Sequence, residues 1–347
     1  MKVRKGLIKA GRVFLVALIT FAVLEGILRL FGYTSHQVPD QFMASTPSGC
    51  FIADSSDGIS LKTGVFEVTI AGKLSYIANH TKNGLRSTGK TSEKDTNHIR
   101  VALHGCSFTY GQGVNDEETY AHLLQAQFPK LEIQNHGVPG YGQIQLLNDL
   151  DAYLKSDQKP DCIILNYLPF HNERNSLNPN WRDKLRLGFE IAQKSDQSTA
   201  DGVYKYPFAT LENGQLNLQK KPLEEICKPY LLDDYLAFTN TIGSIINKWD
   251  LDENKDAKIT EKIIDKIAAR CKQHGVTFIL SFMSNDSKSK LLLAHCKSNK
   301  IETVDISYDY TSKELTNHPS DTHPNPKAHK LIAKKLATVL NHISSLN

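Results

Sequence analysis

Ile99-Arg-Val-Ala-Leu-His-Gly-Cys-Ser-Phe-Thr-Tyr-Gly-Gln-Gly113 is the stretch on which the fold turns. Its first five residues form a short apolar run that ends near Gly105, the pattern of a parallel strand buried on both faces. A glycine-rich turn carrying Ser107 follows. Across residues 117–128, Tyr120, Leu123, Leu124 and Phe128 share one helical face. The alternation then repeats. A strand begins at Leu131, a helix at 144–154 aligns Leu147, Leu150 and Leu154, and a third strand covers 162–165. Further on, Ile259, Ile263, Ile267 and Cys271 mark a helix, and 276–280 and 303–306 read as strands. The last helix follows Pro326 and presents Ile332, Leu336, Val339, Leu340 and Ile343. Strands alternating with amphipathic helices predict an α/β fold, three layers deep, around a central parallel sheet.

The chain is different towards its N-terminus. Lys2, Arg4, Lys5, Lys9 and Arg12 put five positive charges into the first twelve residues, so the rest of the chain carries 4 − 5 = −1 of the net +4. An apolar run from Val13 to Leu24 continues through Glu25 and Arg29 to Phe31. A bilayer needs about 20 such residues. The pattern predicts a single membrane span over 1–33 with the basic end in the cytoplasm and the rest periplasmic or extracellular. Glu25 and Arg29, four apart, are placed to pair. A cleavable signal peptide is the other reading, but no small-x-small site follows Leu24.

Residues 34–97 are rich in Pro, Ser, Thr and Gly. They predict a stalk and a small β-rich extension with strands at 65–70 and 74–77, closed by a polar linker at 88–97. Residues 174–256 break the α/β alternation of the 98–347 domain and read as a partly helical insertion with Trp181, Tyr204, Tyr206 and Phe208. The chain has 40% hydrophobic and 22% charged residues, which suits a globular domain. No stretch interleaves basic and aromatic residues, so a nucleic-acid partner is not expected. None of the six cysteines forms a CxxC pair. Cys106 and Cys162 fall in apolar strand patterns and read as small buried residues. Oligomeric state is left open.

Ligands of open parallel sheets bind at the carboxyl ends of the strands. Three clusters follow such strands and a fourth precedes the last helix. Gly105-Cys-Ser-Phe-Thr-Tyr-Gly111 can expose the Ser107 hydroxyl and turn its backbone N–H towards an oxyanion. A plain glycine turn with an idle serine fits it as well. No lysine is present for a phosphate loop. Gly137-Val-Pro-Gly-Tyr-Gly142 is either a simple turn or a close backbone approach to a ligand. His171-Asn-Glu-Arg-Asn175 offers the Asn172 amide as a neutral donor, or as a loop cap. In Asp321-Thr-His-Pro-Asn-Pro326, Asp321 and His323 project to one side of an extended chain. The carboxylate can then fix the imidazole tautomer, unless the segment is only a helix-entry turn. Two residues do not fill a metal shell.

In this order the four clusters resemble the blocks of the SGNH/GDSL hydrolase family, over residues 99–340 less the insertion. The resemblance implies a flavodoxin-like SGNH-hydrolase fold and assigns Ser107 as nucleophile, His323 as base, and Ser107, Gly140 and Asn172 as oxyanion donors. Asn83-Gly-Leu-Arg86 resembles a feature that precedes the domain in membrane-anchored bacterial members. Block one usually reads Gly-Asp-Ser, and Cys106 stands in place of that Asp. The last block often reads Asp-x-x-His, and Ser320 holds that Asp position here. Asp321, one residue closer, is taken as the orienting acid. His329 reads as a structural helix residue. The family implies a serine esterase acting on acyl esters, O-acetyl groups of small molecules or glycans among them, with no metal or organic cofactor. An O-acetyltransferase of envelope polysaccharide and a non-catalytic glycan binder are the alternatives.

Overall fold

The computed structural model describes residues 2–38, 43–90, 98–194, 205–226 and 230–344. Tyr204, Cys227 and most of the predicted linker lie outside them. Helix α1 covers Lys2–Leu30. Five short strands follow: β1 (Met43–Thr46), β2 (Phe51–Asp54), β3 (Gly58–Leu61), β4 (Gly64–Ile70) and β5 (Leu74–His80). The alternating part begins with β6 (Ile99–Gly105), α2 (Ser107–Tyr110), α3 (Tyr120–Gln127), β7 (Leu131–Gly137), α4 (Gln143–Tyr153), β8 (Cys162–Tyr167) and α5 (His171–Ser176). Then come α6 (Pro179–Lys194), the hairpin β9 (Lys205–Glu212) and β10 (Gln215–Pro222), α7 (Leu223–Ile226) and α8 (Ala237–Trp249). The chain closes with α9 (Glu253–Gln273), β11 (Thr277–Phe282), α10 (Ser287–Ser298), β12 (Glu302–Asp305) and α11 (Pro326–Ser344).

Five strands pair in the order β7-β6-β8-β11-β12, every neighbour parallel. Counted along the chain this is the 2-1-3-4-5 order of flavodoxin-like sheets. Successive residues of a strand face opposite ways, and the two faces hold separate cores. Val101, Leu103, Ile133 and Ile164 pack with Tyr120 and Leu124 of α3 and Ile332, Leu336 and Leu340 of α11. Ala102, Ile163 and Leu165 pack with Ile144 and Leu150 of α4, Ile263 and Ile267 of α9 and Leu292 of α10. The predicted three layers are present.

The predicted extension contains antiparallel sheets, β1-β4-β5 and β2-β3. Strands β4 and β5 show strict alternation, with Phe66, Val68, Ile70, Tyr76 and Ala78 inside. Their core is completed by Tyr110 and Val138, which belong to the turns after β6 and β7. The sequence reading divides the chain at 33/34 and 97/98, whereas the contacts divide it differently. One compact unit is Asp40–Ile226 with Asp252–Asn347, and the other is Met1–Pro39 with Cys227–Leu251. The extension alone lacks the apolar residues to close its core, so it shares one with the α/β part.

Within the smaller unit, Gly6–Leu30 of α1 is long and apolar enough to cross a membrane, and its most apolar stretch is unburied in the chain. Arg29 and Glu25 form the predicted pair at 2.7 Å. The five described cysteines, Cys50, Cys106, Cys162, Cys271 and Cys296, are buried and free.

Candidate active site

Strand order reverses on either side of β6, so a crevice opens where the β6 and β8 chains leave the sheet. Ser107 lies there, as the first residue of α2 and directly after β6. Helix α2 sits flush on the sheet because two glycines allow it. A Cβ on Gly105 would lie 2.1 Å from Thr109 Oγ1, and one on Gly137 would lie 2.1 Å from the Tyr110 backbone nitrogen. The turn is also tied from the side. Asn135 Nδ2 donates to the Thr109 carbonyl at 3.0 Å, and Asn166 Nδ2 donates to Thr109 Oγ1 at 2.7 Å.

Behind the turn stands Arg86, whose side chain has no exposed surface. Its guanidinium donates to the carbonyls of Tyr110, Gly111, Val114 and Ile77. It also meets Asp116 at 2.9 Å and lies over the Tyr110 ring, 4.6 Å from its centre. One arginine thus satisfies the carbonyls that α2 leaves unpaired as it ends. The sequence flagged Asn83-Gly-Leu-Arg86 by resemblance only, without a role.

Ser107 is 5% exposed, and its Oγ lies 2.8 Å from His323 Nε2. His323 Nδ1 lies 2.9 and 2.8 Å from the two Asp321 oxygens. An ionised carboxylate only accepts, so Nδ1 carries the proton and Nε2 accepts from the serine hydroxyl. Burial pushes the Asp321 carboxyl up. The hydrogen bond and charge of His323, the Thr322 N–H and the Gln112 amide outweigh that and hold it below its ordinary range. Gln112 Nε2 approaches Asp321 Oδ2 at 3.4 Å. Nothing in the sequence distinguished Gln112 except its place between two glycines.

Gly140 lies in the turn after β7 with φ +89°. Asn172 is buried in α5, after β8, and its Oδ1 accepts from the Tyr167 hydroxyl at 3.2 Å. Among the described residues, no acceptor is bonded to Asn172 Nδ2 or to the backbone N–H groups of Ser107 and Gly140. His329 is fully buried in α11 and accepts from the Tyr120 N–H at 3.1 Å. Burial, then the charges of Arg86 and His323, push it down to about 3, which leaves it a neutral packing residue.

Aromatic side chains crowd the serine and the loops beside it. The Phe108 ring lies 5.0 Å from that of His323 and 5.8 Å from Phe170. Arg174 stacks between Phe170 and Trp181 and donates to the Tyr141 carbonyl at 2.7 Å. A cavity of about 450 Å³, lined by His104, His136, Tyr153, Gln145, Asp57 and Asp149 among others, does not include Ser107, Asp321 or His323.

No family model matches the sequence, and no curated protein matches it either. Solved structures do resemble the chain. A lipolytic protein of the G-D-S-L family from Desulfitobacterium hafniense is 13% identical and aligns over 70% of this chain and 99% of its own, with a TM-score of 0.39. The psychrotrophic esterase EstA from a Pseudoalteromonas species is 12% identical over 71% and 99%, with a TM-score of 0.41. A carbohydrate esterase of family 3 from Talaromyces cellulolyticus is 10% identical over 71% and 97%, with a TM-score of 0.36.

Proposed function

We propose that the chain is a serine ester hydrolase of the SGNH type, with Ser107 as nucleophile, His323 as general base and Asp321 as the acid that orients it. The observation that carries this reading is the hydrogen-bonded series Ser107–His323–Asp321 at the carboxyl end of the β6 strand. His323 Nε2 takes the hydroxyl proton as Ser107 Oγ attacks the ester carbonyl, and Asp321 stabilises the imidazolium that results. The unengaged donors of Ser107, Gly140 and Asn172 suit the developing oxyanion. His323 then protonates the leaving alcohol, and water, activated by the same imidazole, releases the acid. A short acyl group such as acetyl is what the resemblance to the family implies. The basic residues in the first turns of α1 favour a cytoplasmic N-terminus, which puts the ester on an envelope or extracellular glycan.

The test is hydrolysis of p-nitrophenyl acetate and of acetylated glycans by the full chain in detergent, beside Ser107→Ala and His323→Ala. Turnover by the parent, lost in both folded variants, is expected. A folded Ser107→Ala protein as active as the parent would remove the serine mechanism. Adding a sugar acceptor separates transfer from hydrolysis, because a transferase releases less acetate as acetylated sugar accumulates.

A further inference from the structure

The smaller unit carries apolar surface beyond α1. Helix α8 begins against α1. The Glu25 carboxylate accepts the backbone N–H groups of Ala237 at 2.9 Å and Phe238 at 2.8 Å, the first two residues of α8. Phe21 meets Phe238 edge-on with ring centres 5.2 Å apart. Arg29 donates to the Tyr235 carbonyl at 2.8 Å, and Asn240 to the Thr34 carbonyl at 2.9 Å. A carboxylate in an apolar helix is thus held by Arg29 and by the positive end of a second helix. The start of α8 is fixed level with Glu25, five residues before α1 ends at Leu30, or about 8 Å along the helix axis.

Ile242, Ile245, Ile246 and Trp249 follow the spacing of one helical stripe. All four are exposed, Trp249 at 82%. Leu231 (83% exposed), Leu232 and Tyr235 extend the apolar surface upstream. Asn240, Ser244 and Asn247 fall on the opposite side of the helix. Contiguous apolar surface of this kind marks a contact site in a soluble protein. Here the neighbour decides which contact. The most apolar stretch of α1 is unburied in the chain, and a medium that covers α1 continues over a stripe fixed beside it. An amphipathic helix with Trp at its end, anchored about 8 Å inside the end of a span, matches a helix lying in the bilayer interface with its apolar face about 5–10 Å deep.

We propose that residues 230–249 lie in the interface of the leaflet that holds the C-terminal end of α1, as a second membrane contact whose Ile242–Trp249 stripe takes phospholipid acyl chains. The proposal rests on α1 spanning the membrane. The chain has two tryptophans, and Trp181 is buried, so emission lost in Trp249→Phe reports Trp249 alone. The full chain is reconstituted in phosphatidylcholine vesicles brominated either near the glycerol or near the chain ends. Trp249 is expected to lose most of its emission to the shallow bromines and little to the deep ones. Leu18→Trp in the Trp249→Phe background reports the span, with the deep bromines quenching most. If Leu18→Trp is quenched and Trp249 is not, whether a second copy covers the stripe or water does, the interfacial helix is overturned and the span stands. If neither is quenched, the span fails and the inference fails with it.

Discussion

Replacing Gly137 by alanine tests whether the sheet itself positions Ser107, the proposed nucleophile. The new Cβ would lie 2.1 Å from Tyr110 N, 2.6 Å from Thr109 C and 2.7 Å from Tyr110 Cα, all backbone atoms of α2. Ordinary contact begins near 3.4 Å, so α2 and β7 must separate by about 3.4 − 2.1 = 1.3 Å. Strand β7 is held by its full register with β6, which leaves α2 as the element that moves. A shift of that size opens the 2.8 Å contact between Ser107 Oγ and His323 Nε2 to as much as about 4 Å, outside hydrogen-bond range. Misplacement by 1 Å can cost about 100-fold in rate, and overpacking costs roughly 1–3 kcal/mol. The assay is ester turnover beside a urea melt. Gly188→Ala is the control, since Gly188 is at an exposed position of α6 and nothing lies within 4 Å of its new Cβ. It should leave turnover intact and stabilise by about 0.5–1 kcal/mol. A folded Gly137→Ala protein with turnover within about threefold of the parent would refute the argument.

Three further outcomes follow from the same contacts. Burial, then the charge of Arg100, pushes His136 down to about 4. The unfolded chain binds that proton near pH 6.5 and the folded chain refuses it until about 4. The penalty is therefore absent above 6.5 and grows as pH falls through that window. Between pH 7 and 5 the parent should lose about 2 kcal/mol more than His136→Asn in urea titrations, and parallel profiles would sink the idea. Arg86→Lys keeps the charge but cannot serve four carbonyls, so a loss of about 3 kcal/mol and lower turnover are expected; a melt within about 1 kcal/mol of the parent would show that the guanidinium is dispensable. Asn172→Ala should lower turnover by about 100-fold while the fold persists, and full activity would remove it from the oxyanion site.

The parallel sheet was legible because its buried strands are plain apolar runs and its helices keep one apolar face. The Asp321–His323 contact was legible because residues two apart on an extended chain project to the same side, while their roles were implied only by the resemblance. The hairpin β9–β10 was missed, although Asn213-Gly214 joins its strands with both residues at positive φ, the usual mark of a two-residue turn. Pro207 and the charged residues of β10 hid the strands on either side. Arg86 could not be read as buried, since apart from Asp116 its acceptors are carbonyls, present at every residue. Glu25 was paired with Arg29 because they are four apart; its bonds to Ala237 and Phe238 cross more than 200 residues, where no periodicity reaches.

The buried thiols give the molecule a set of built-in clocks. Cys50 belongs to the core of the extension, Cys106 and Cys162 to the α3–α11 face, and Cys271 and Cys296 to the α4–α9 face. Burial pushes Cys162, Cys271 and Cys296 up to about 12, so each reacts with a thiol reagent only when its surroundings open. In a Cys227→Ser background, the labelling rate at each site measures the opening free energy of one layer. If Cys50 and Cys106 label together, the extension and the Ser107 turn open as one body, and ester turnover should decline at the denaturant concentration where Cys50 first becomes reactive.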